Sequence, residues 1–578
     1  MSEPVRIANV SGFYGDRLSA MREQLEGGPV DVLTGDYLAE LTMLILGRDQ
    51  AKDASRGYAR TFLRQVTDCL SLAHEQGVQI VSNAGGVHPA GLAAALREVV
   101  AVAGVPMTVA YIDGDDLRSR SGDFGVEGLL TANAYLGGFG IAEALRRGAD
   151  IVVTGRVTDA SLVMGPAIAH HGWGREDFDA LAGALVAGHV IECGAQATGG
   201  NFSGFGQLAD LARPGFPIAE IAADGSSVIT KHPGTGGAVT LDTVTAQLVY
   251  EIGGPAYLNP DVVGHLDTLC LTEIDSDRVQ IAGVRGTPPP RTTKVCLNRL
   301  GGLRNSVEFV LTGLEISAKA ALVRSQLEQL LAADPPAEVL WRLDDLSVPD
   351  PETQIAGSAV LTCQVLDQSE RPVGRAFSSA AVELALSSYP GFTLTRPPSR
   401  AMPYGIYTAA YVEQGSVPHR VNLQDGAVIE IGPPQVTEQV AVHAPTSGPA
   451  PHVASDTVRV PLGSVAHARS GDKGGDANVG VWIPAAHPQA GTAYDWLRAL
   501  LTADGVRRLL PETADLDIDV WPLPNLQAVN VVIHGLLGDG VAASTRPDPQ
   551  AKALGEWLRA RVVDVPRQLL PQTAERVQ

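Results

Sequence analysis

Cysteine is scarce: Cys69, Cys193, Cys270, Cys296 and Cys363 are the five in 578 residues. The number is odd and no two are spaced as CxxC, which excludes a disulfide framework and leaves spacing alone with no zinc site. Thiols in a reducing compartment fit best. No stretch approaches the roughly 18 uninterrupted apolar residues that a membrane span needs. The chain enters a strand-like run directly after Met1-Ser-Glu-Pro4, without the basic segment and apolar core of a secretory signal, so a cytoplasmic location is expected. Basic residues are in deficit, with Lys+Arg 43 against Asp+Glu 64 and a net charge of −21, and no basic patch is concentrated locally. Such a field repels polyanions and argues against a nucleic-acid partner. Also missing are GxxxxGK[ST], GxSxG, HExxH, and a GxGxxG with its downstream acid.

What is present is core material. Hydrophobic residues are 45% and charged residues 19% of the chain, so it is globular, and its length suits two or three bodies. From Val5 to about Gly174, short β-branched runs alternate with amphipathic segments, the pattern of an open, mostly parallel sheet with crossover helices. The strands expected at Val5–Val10, Val30–Leu33, Val78–Ser82, Pro106–Ile112 and Ile151–Val153 all run out into Gly, Asp, Asn, Ser or Thr. Ligands of such sheets lie beyond the carboxyl ends of the strands, so these loops are expected to share a rim. Residues 1–441 are read as one α/β body with a possible sub-boundary near 225, its topology from 188 to 440 unassigned. The proline- and alanine-rich stretch 442–456 reads as a linker. Residues 457–578 read as a small two-layer α+β sandwich.

Four polar segments carry candidate chemistry. The first, His467-Ala-Arg-Ser-Gly-Asp-Lys-Gly-Gly-Asp-Ala-Asn478, reads as a glycine-rich loop between two strands, in which Ser470, Asp472, Lys473, Asp476 and Asn478 offer donors, acceptors and a mobile cation. The second, Lys231-His-Pro-Gly-Thr-Gly-Gly237, precedes a helix near Thr240, so that Gly234, Thr235, Gly236 and Gly237 are candidates to hold phosphate or carboxylate. In the third, residues 188–202, Glu192 is favoured over Cys193 as acid, base or nucleophile, with Gln196 and Asn201 beside them. The fourth, Thr154-Gly-Arg-Val-Thr-Asp-Ala-Ser161, places Arg156 to clamp a carboxylate and Asp159 to move a proton, on the rim expected to include Asn83, Gly85, Gly86 and His88. The competing readings are a solvated hairpin loop, a well-capped turn, a buried thiol and a helix cap with a surface arginine. The acidic turn Asp113–Asp116 reads as solvated, and no metal site is expected.

These four segments, in chain order and spanning nearly all of the sequence, resemble the AtuA-type acyclic terpene utilisation proteins. The resemblance implies a large N-terminal AtuA domain and a smaller C-terminal AtuA-like domain, in a family linked to bacterial breakdown of citronellol- and geraniol-like acids as CoA thioesters. It supplies no mechanism. With the residues above, it leads to the expectation of a lyase or hydratase acting on a branched acyl-CoA or related carboxylate by hydration, dehydration or carbon–carbon cleavage. Glu192 or Asp159 would be the base and Arg156 the oxyanion or carboxylate clamp, with Lys473 and the glycine-rich loops taking CoA phosphates. No cofactor is expected beyond CoA as part of the substrate. The alternative is a non-catalytic acyl-CoA-binding accessory or scaffold subunit. A site assembled between domains or subunits further suggests a homo-oligomer.

Overall fold

A computed structural model describes residues 3–439 and 456–570. The chain divides into two compact units, Met1–Asn298 with Tyr407–Gln578, and Arg299–Ile406. The first unit is built on an 11-stranded sheet. At its centre Val5–Ser11, Val32–Gly35, Gln79–Ser82, Ile151–Thr154 and Val109–Asp113 lie side by side in that order, all parallel. These are the five strands expected from the sequence. Their β-branched runs are buried, as a sheet covered on both faces requires. Antiparallel strands extend the sheet at both edges, Pro217–Ile221 and Ser227–Lys231 on one side and Arg420–Asn422 on the other.

Helix Phe178–Ile191 is apolar on every side and buried from Leu181 onward, which makes it a core helix rather than a surface one. Its last turn carries His189, and Glu192 caps it. The tail forms a four-stranded antiparallel sheet in the order His467–Lys473, Asp476–Trp482, Ala528–Ile533, Ile518–Leu523. Helices Ala490–Leu500, Ala503–Leu509 and Leu554–Ala560 belong to the same domain, and their apolar residues share one core with the sheet. Its Trp482 is buried with the core of the large sheet, and the indole donates to Asp242 at 3.0 Å.

Several expected boundaries shift. Gly225 sits in the turn of the hairpin joining Pro217–Ile221 to Ser227–Lys231, so no boundary falls there. Residues 299–406 separate instead as their own unit, while the tail groups with the rest of the body. Of the expected linker, residues 442–455 lie outside the described residues. Between Ala490 and Leu509 the chain forms two helices rather than one, because Thr502 caps the second by accepting the Gly505 N–H at 3.0 Å. The first strand of the tail, Thr457–Pro461, pairs with Val562–Pro566, which follows the final helix Leu554–Ala560.

In the second unit residues 303–312 pair with Ser358–Asp367, which also pairs with Glu338–Asp344. Helices Ile316–Leu331 and Arg375–Glu383 cover this sheet through Val323, Leu327 and Phe377.

The tail's packing on the first unit can be tested at Gly480, where an added Cβ would stand 2.3 Å from a Val249 methyl. Gly480→Ala is expected to destabilise by about 1–3 kcal/mol through overpacking. The measurement is a denaturant melt, and an unchanged midpoint would contradict this packing.

Candidate functional site

A cavity of about 1580 Å³ opens in the first unit. The turn after the second central strand brings Asp36 to it, and the helix that follows begins at Glu40. Past strand Ile151–Thr154, the turn contributes Arg156 and Asp159. His189 and Glu192 arrive at the end of the buried helix; Tyr250 and Glu251 arrive past the end of helix Leu241–Leu248. Lys294 and Tyr407 enter from two strands, and Asp472, Lys473 and Lys552 come from the tail. Close approach is needed where the first strand ends: a Cβ on Gly12 would meet the Cys193 carbonyl carbon at 2.5 Å, and Asn9 donates to the Glu192 carbonyl at 3.1 Å.

The charges are interlocked. Arg156, its side chain 3% exposed, donates to Asp159 at 2.8 Å and to the Leu38 carbonyl at 3.0 Å, and its guanidinium lies 4.3 Å from the Tyr135 ring centroid. Lys294 stands 3.3 Å from Glu40, which also accepts from the Tyr135 hydroxyl at 3.0 Å. Lys552 lies 3.0 Å from Glu251 and 3.7 Å from Asp472, and bonds the Tyr250 hydroxyl. Glu192 Oε1 is 3.4 Å from His189 Nδ1, longer than a good hydrogen bond. Glu192 Oε2 and both His189 nitrogens complete no hydrogen bond, although these residues are only 8% and 2% exposed.

Proton affinities diverge accordingly. Burial, with Asp159 and Glu251 nearby, raises the Glu192 carboxyl well above the usual carboxylate range; Asp36 is raised by burial and by Asp159. Burial would do the same to Glu40, but Lys294 and Arg156 outweigh it and draw that carboxyl down to about 2. Glu251 is likewise lowered against its burial by Lys552 and the Tyr250 hydroxyl. Burial and the charge of Lys473 hold His189 down at about 4, which leaves it neutral. Carboxyls pushed in opposite directions within one cavity place a proton donor and proton acceptors side by side.

The model of the acyclic terpene utilisation family protein AtuA matches residues 5–423, and that of the AtuA ferredoxin-like domain matches residues 460–564. The chain belongs to the AtuA family. No curated protein matches it. The tail sandwich is the ferredoxin-like domain of this AtuA chain.

Of the residues singled out from sequence, Arg156, Asp159, Glu192, Cys193, Gln196, Asn201, Asp472, Lys473 and Asp476 line the cavity. Three of these are engaged with partners outside the charge network described above. Gln196 and the Asn201 carbonyl accept from Arg469, and Asp476 accepts from the Gly535 N–H at 2.8 Å while pairing with His534. Asp159 is tied to Arg156, and burial raises its carboxyl.

The others are not brought there. Asn83 stands behind Asp36, donating to it at 2.7 Å, while Gly85 packs on the Thr154 carbonyl and Gly86 on that of Gly57. His88 bonds the Arg56 carbonyl at 3.1 Å instead of facing the cavity. Gly234, Thr235, Gly236 and Gly237 fold onto their own neighbours: Lys231 donates to the Thr235 carbonyl, the Gly236 carbonyl accepts from Gly215, and the Gly237 N–H is used by the Asp210 carbonyl. The helix beyond is closed by Thr240 in a capping box, so its N-terminus is already capped by protein. The segment 467–478 is a tight hairpin rather than a long loop, turning at Gly474, with φ +69, and Gly475. Ser470 and Asn478 are therefore buried strand residues: Ser470 accepts from the Gly555 N–H at 2.8 Å, and Asn478 accepts from the Glu251 N–H at 2.7 Å. Asp115, in the acidic turn read as solvated, is buried, accepts from the Arg156 N–H at 2.8 Å and holds that loop.

Sequence reasoning missed Glu40, Tyr135, His189, Tyr250, Glu251, Lys294, Tyr407 and Lys552, all cavity-lining. One signal was available: a histidine near the end of an otherwise apolar helix, three residues before a glutamate.

Cys193 lines the cavity, but burial, and then Glu192 and Glu251, push its thiol well above the ordinary range. A neutral thiol is a poor nucleophile. Iodoacetamide at pH 8 is expected to alkylate the exposed Cys270 at least about tenfold faster than Cys193, read by peptide mass spectrometry. Equal rates would contradict the neutral thiol.

Proposed function

We propose that this AtuA-family chain is a catabolic enzyme that performs acid–base chemistry on a branched, terpenoid-like acyl-CoA or related carboxylate. The reaction is hydration, dehydration or carbon–carbon cleavage beside a carbonyl. The observation that supports this most directly is the buried Glu192–His189 pair, unpartnered and facing a cavity in which Glu40 and Glu251 are held ionised by fixed cations. A hydration or elimination needs one group to give a proton and another to take one within the same pocket. Glu192, favoured as the neutral acid, gives it, and neutral His189 takes it. Arg156 and Lys294, held by Asp159 and Glu40, supply positive potential for an enolate or carboxylate oxygen. Asp159 thus acts as the holder of Arg156 and not as the base. Water is the co-reactant.

The test is incubation of the purified protein with acyl-CoA thioesters, terpenoid ones included, followed by mass spectrometry. Product is expected, and Glu192→Gln should lower kcat about 10²–10⁴-fold with binding little changed. Because Glu192 must be protonated and its pKa is raised, kcat should be full on the acid side of that value and fall as pH rises through it. Thermal stabilisation by thioesters without turnover across the panel would instead support an accessory acyl-CoA-binding subunit.

A further inference from the structure

Each cation of the cavity but one has a carboxylate. Arg156 pairs with Asp159, Lys294 with Glu40 and Lys552 with Glu251. Lys473, among the described residues, pairs with none. Its amine donates to the backbone carbonyl of Glu251 at 2.6 Å, and the residue lines the cavity. It is also the cation whose charge acts on both unpartnered groups, Glu192 and His189. Three paired cations already supply the fixed positive potential. A fourth without a counterion, crowded by protein and by Lys294, is held below the ordinary lysine range and is a poor permanent charge. It is a good candidate for an amine that reacts.

We propose that Lys473 is a carbonyl-reactive amine that forms an imine with a ketone or aldehyde group of an organic acid bound in this cavity. The neutral Nζ lone pair attacks the carbonyl carbon, and the displaced π pair goes to the oxygen, which takes a proton from the Glu192 carboxyl. Nitrogen then gives a proton to the Glu192 carboxylate, which passes it to the hydroxyl; this leaves as water, and the protonated C=N that remains returns its last N–H proton to Glu192. Ketone plus amine gives imine plus water, with no change of oxidation state. Once protonated, the imine can accept the electron pair of an adjacent carbon–carbon or carbon–hydrogen bond, so it serves cleavage or dehydration. This inference rests on the acid–base reading of the cavity and narrows its substrate to one carrying a ketone or aldehyde.

The probes are acetoacetate and levulinate, each incubated with the full chain and reduced with sodium borohydride, followed by peptide mass spectrometry. The expected result is a stable adduct on Lys473, with a mass gain of the probe less one oxygen atom, and at least tenfold less on the peptides of Lys294, Lys552 and surface lysines. Lys473→Arg keeps the cation and is expected to abolish the adduct while leaving the melting temperature within a few degrees. No adduct on Lys473, or equal labelling of all lysines, overturns the proposal. Turnover of CoA thioesters without any adduct overturns the imine alone, and an adduct without thioester turnover sinks the thioester substrate while the lysine chemistry stands.

Discussion

The site depends on how the backbone at Glu251 is held. That residue has φ +55, a conformation that costs a non-glycine residue of order 1 kcal/mol or more unless its surroundings fix it. They do. Its N–H is taken by Asn478, whose amide donates in turn to Asn530, and Asn530 reaches the Ile252 carbonyl at 3.4 Å. Both asparagines are fully buried. Without residues 251–252 to bond, they would be polar groups stranded in an apolar interior, at a cost of about 1–3 kcal/mol each. The body needs the tail to fix Glu251, and the tail needs the body to satisfy its own strands. This mutual requirement is a physical reason for the AtuA and ferredoxin-like segments to share one chain and one compact unit.

From that node the charges organise themselves. Glu251 presents its carboxylate to Lys552 and its carbonyl to Lys473. Buried ions are tolerated when paired, and most here are: Lys294 with Glu40, Arg156 with Asp159. The carboxyls left without a cation of their own, Glu192 and Asp36, lose their affinity for charge and become acids. A structural network would pair every member. This one leaves an acid, a neutral histidine and an amine facing the cavity, an arrangement that costs stability.

Much of the framework was legible from the sequence because it follows from patterning. Five β-branched runs ending in small polar residues became five adjacent parallel strands, and Arg156, Glu192 and Lys473, far apart in the chain, converge. What stayed hidden depends on tertiary placement. Lys294 and Tyr407 sit on strands whose neighbours give no local cue, and Lys552 precedes a short helix as an ordinary surface lysine would. The loop from 231 to 237 misled because glycines that fold a chain on itself look like glycines that cradle an anion. The Thr235 and Gly237 N–H groups bond carbonyls of its own neighbourhood, those of His232 and Asp210. At 467–478 the residues read as a polar loop form two paired strands instead, whose face with Gly471 lies against Tyr250 and Glu251.

The register of that hairpin explains why its residues divide as they do. Side chains alternate across a strand, and Gly471 is opposite Asn478 while Lys473 is opposite Asp476, so these four share a face. The face meets Tyr250 and Glu251: a Cβ on Gly471 would stand 2.6 Å from the Tyr250 ring and 3.1 Å from the Glu251 carboxylate, so only glycine admits them. Ser470, on the opposite face, is free to cap helix Leu554–Ala560 instead. A slip of one residue would exchange the faces, setting Ser470 against Glu251 and turning Lys473 and Asn478 away together. The two-residue turn at Gly474-Gly475 therefore fixes in one step the asparagine that holds Glu251 and the lysine that bonds it, which is why a segment that reads as a flexible loop has to be a tight one.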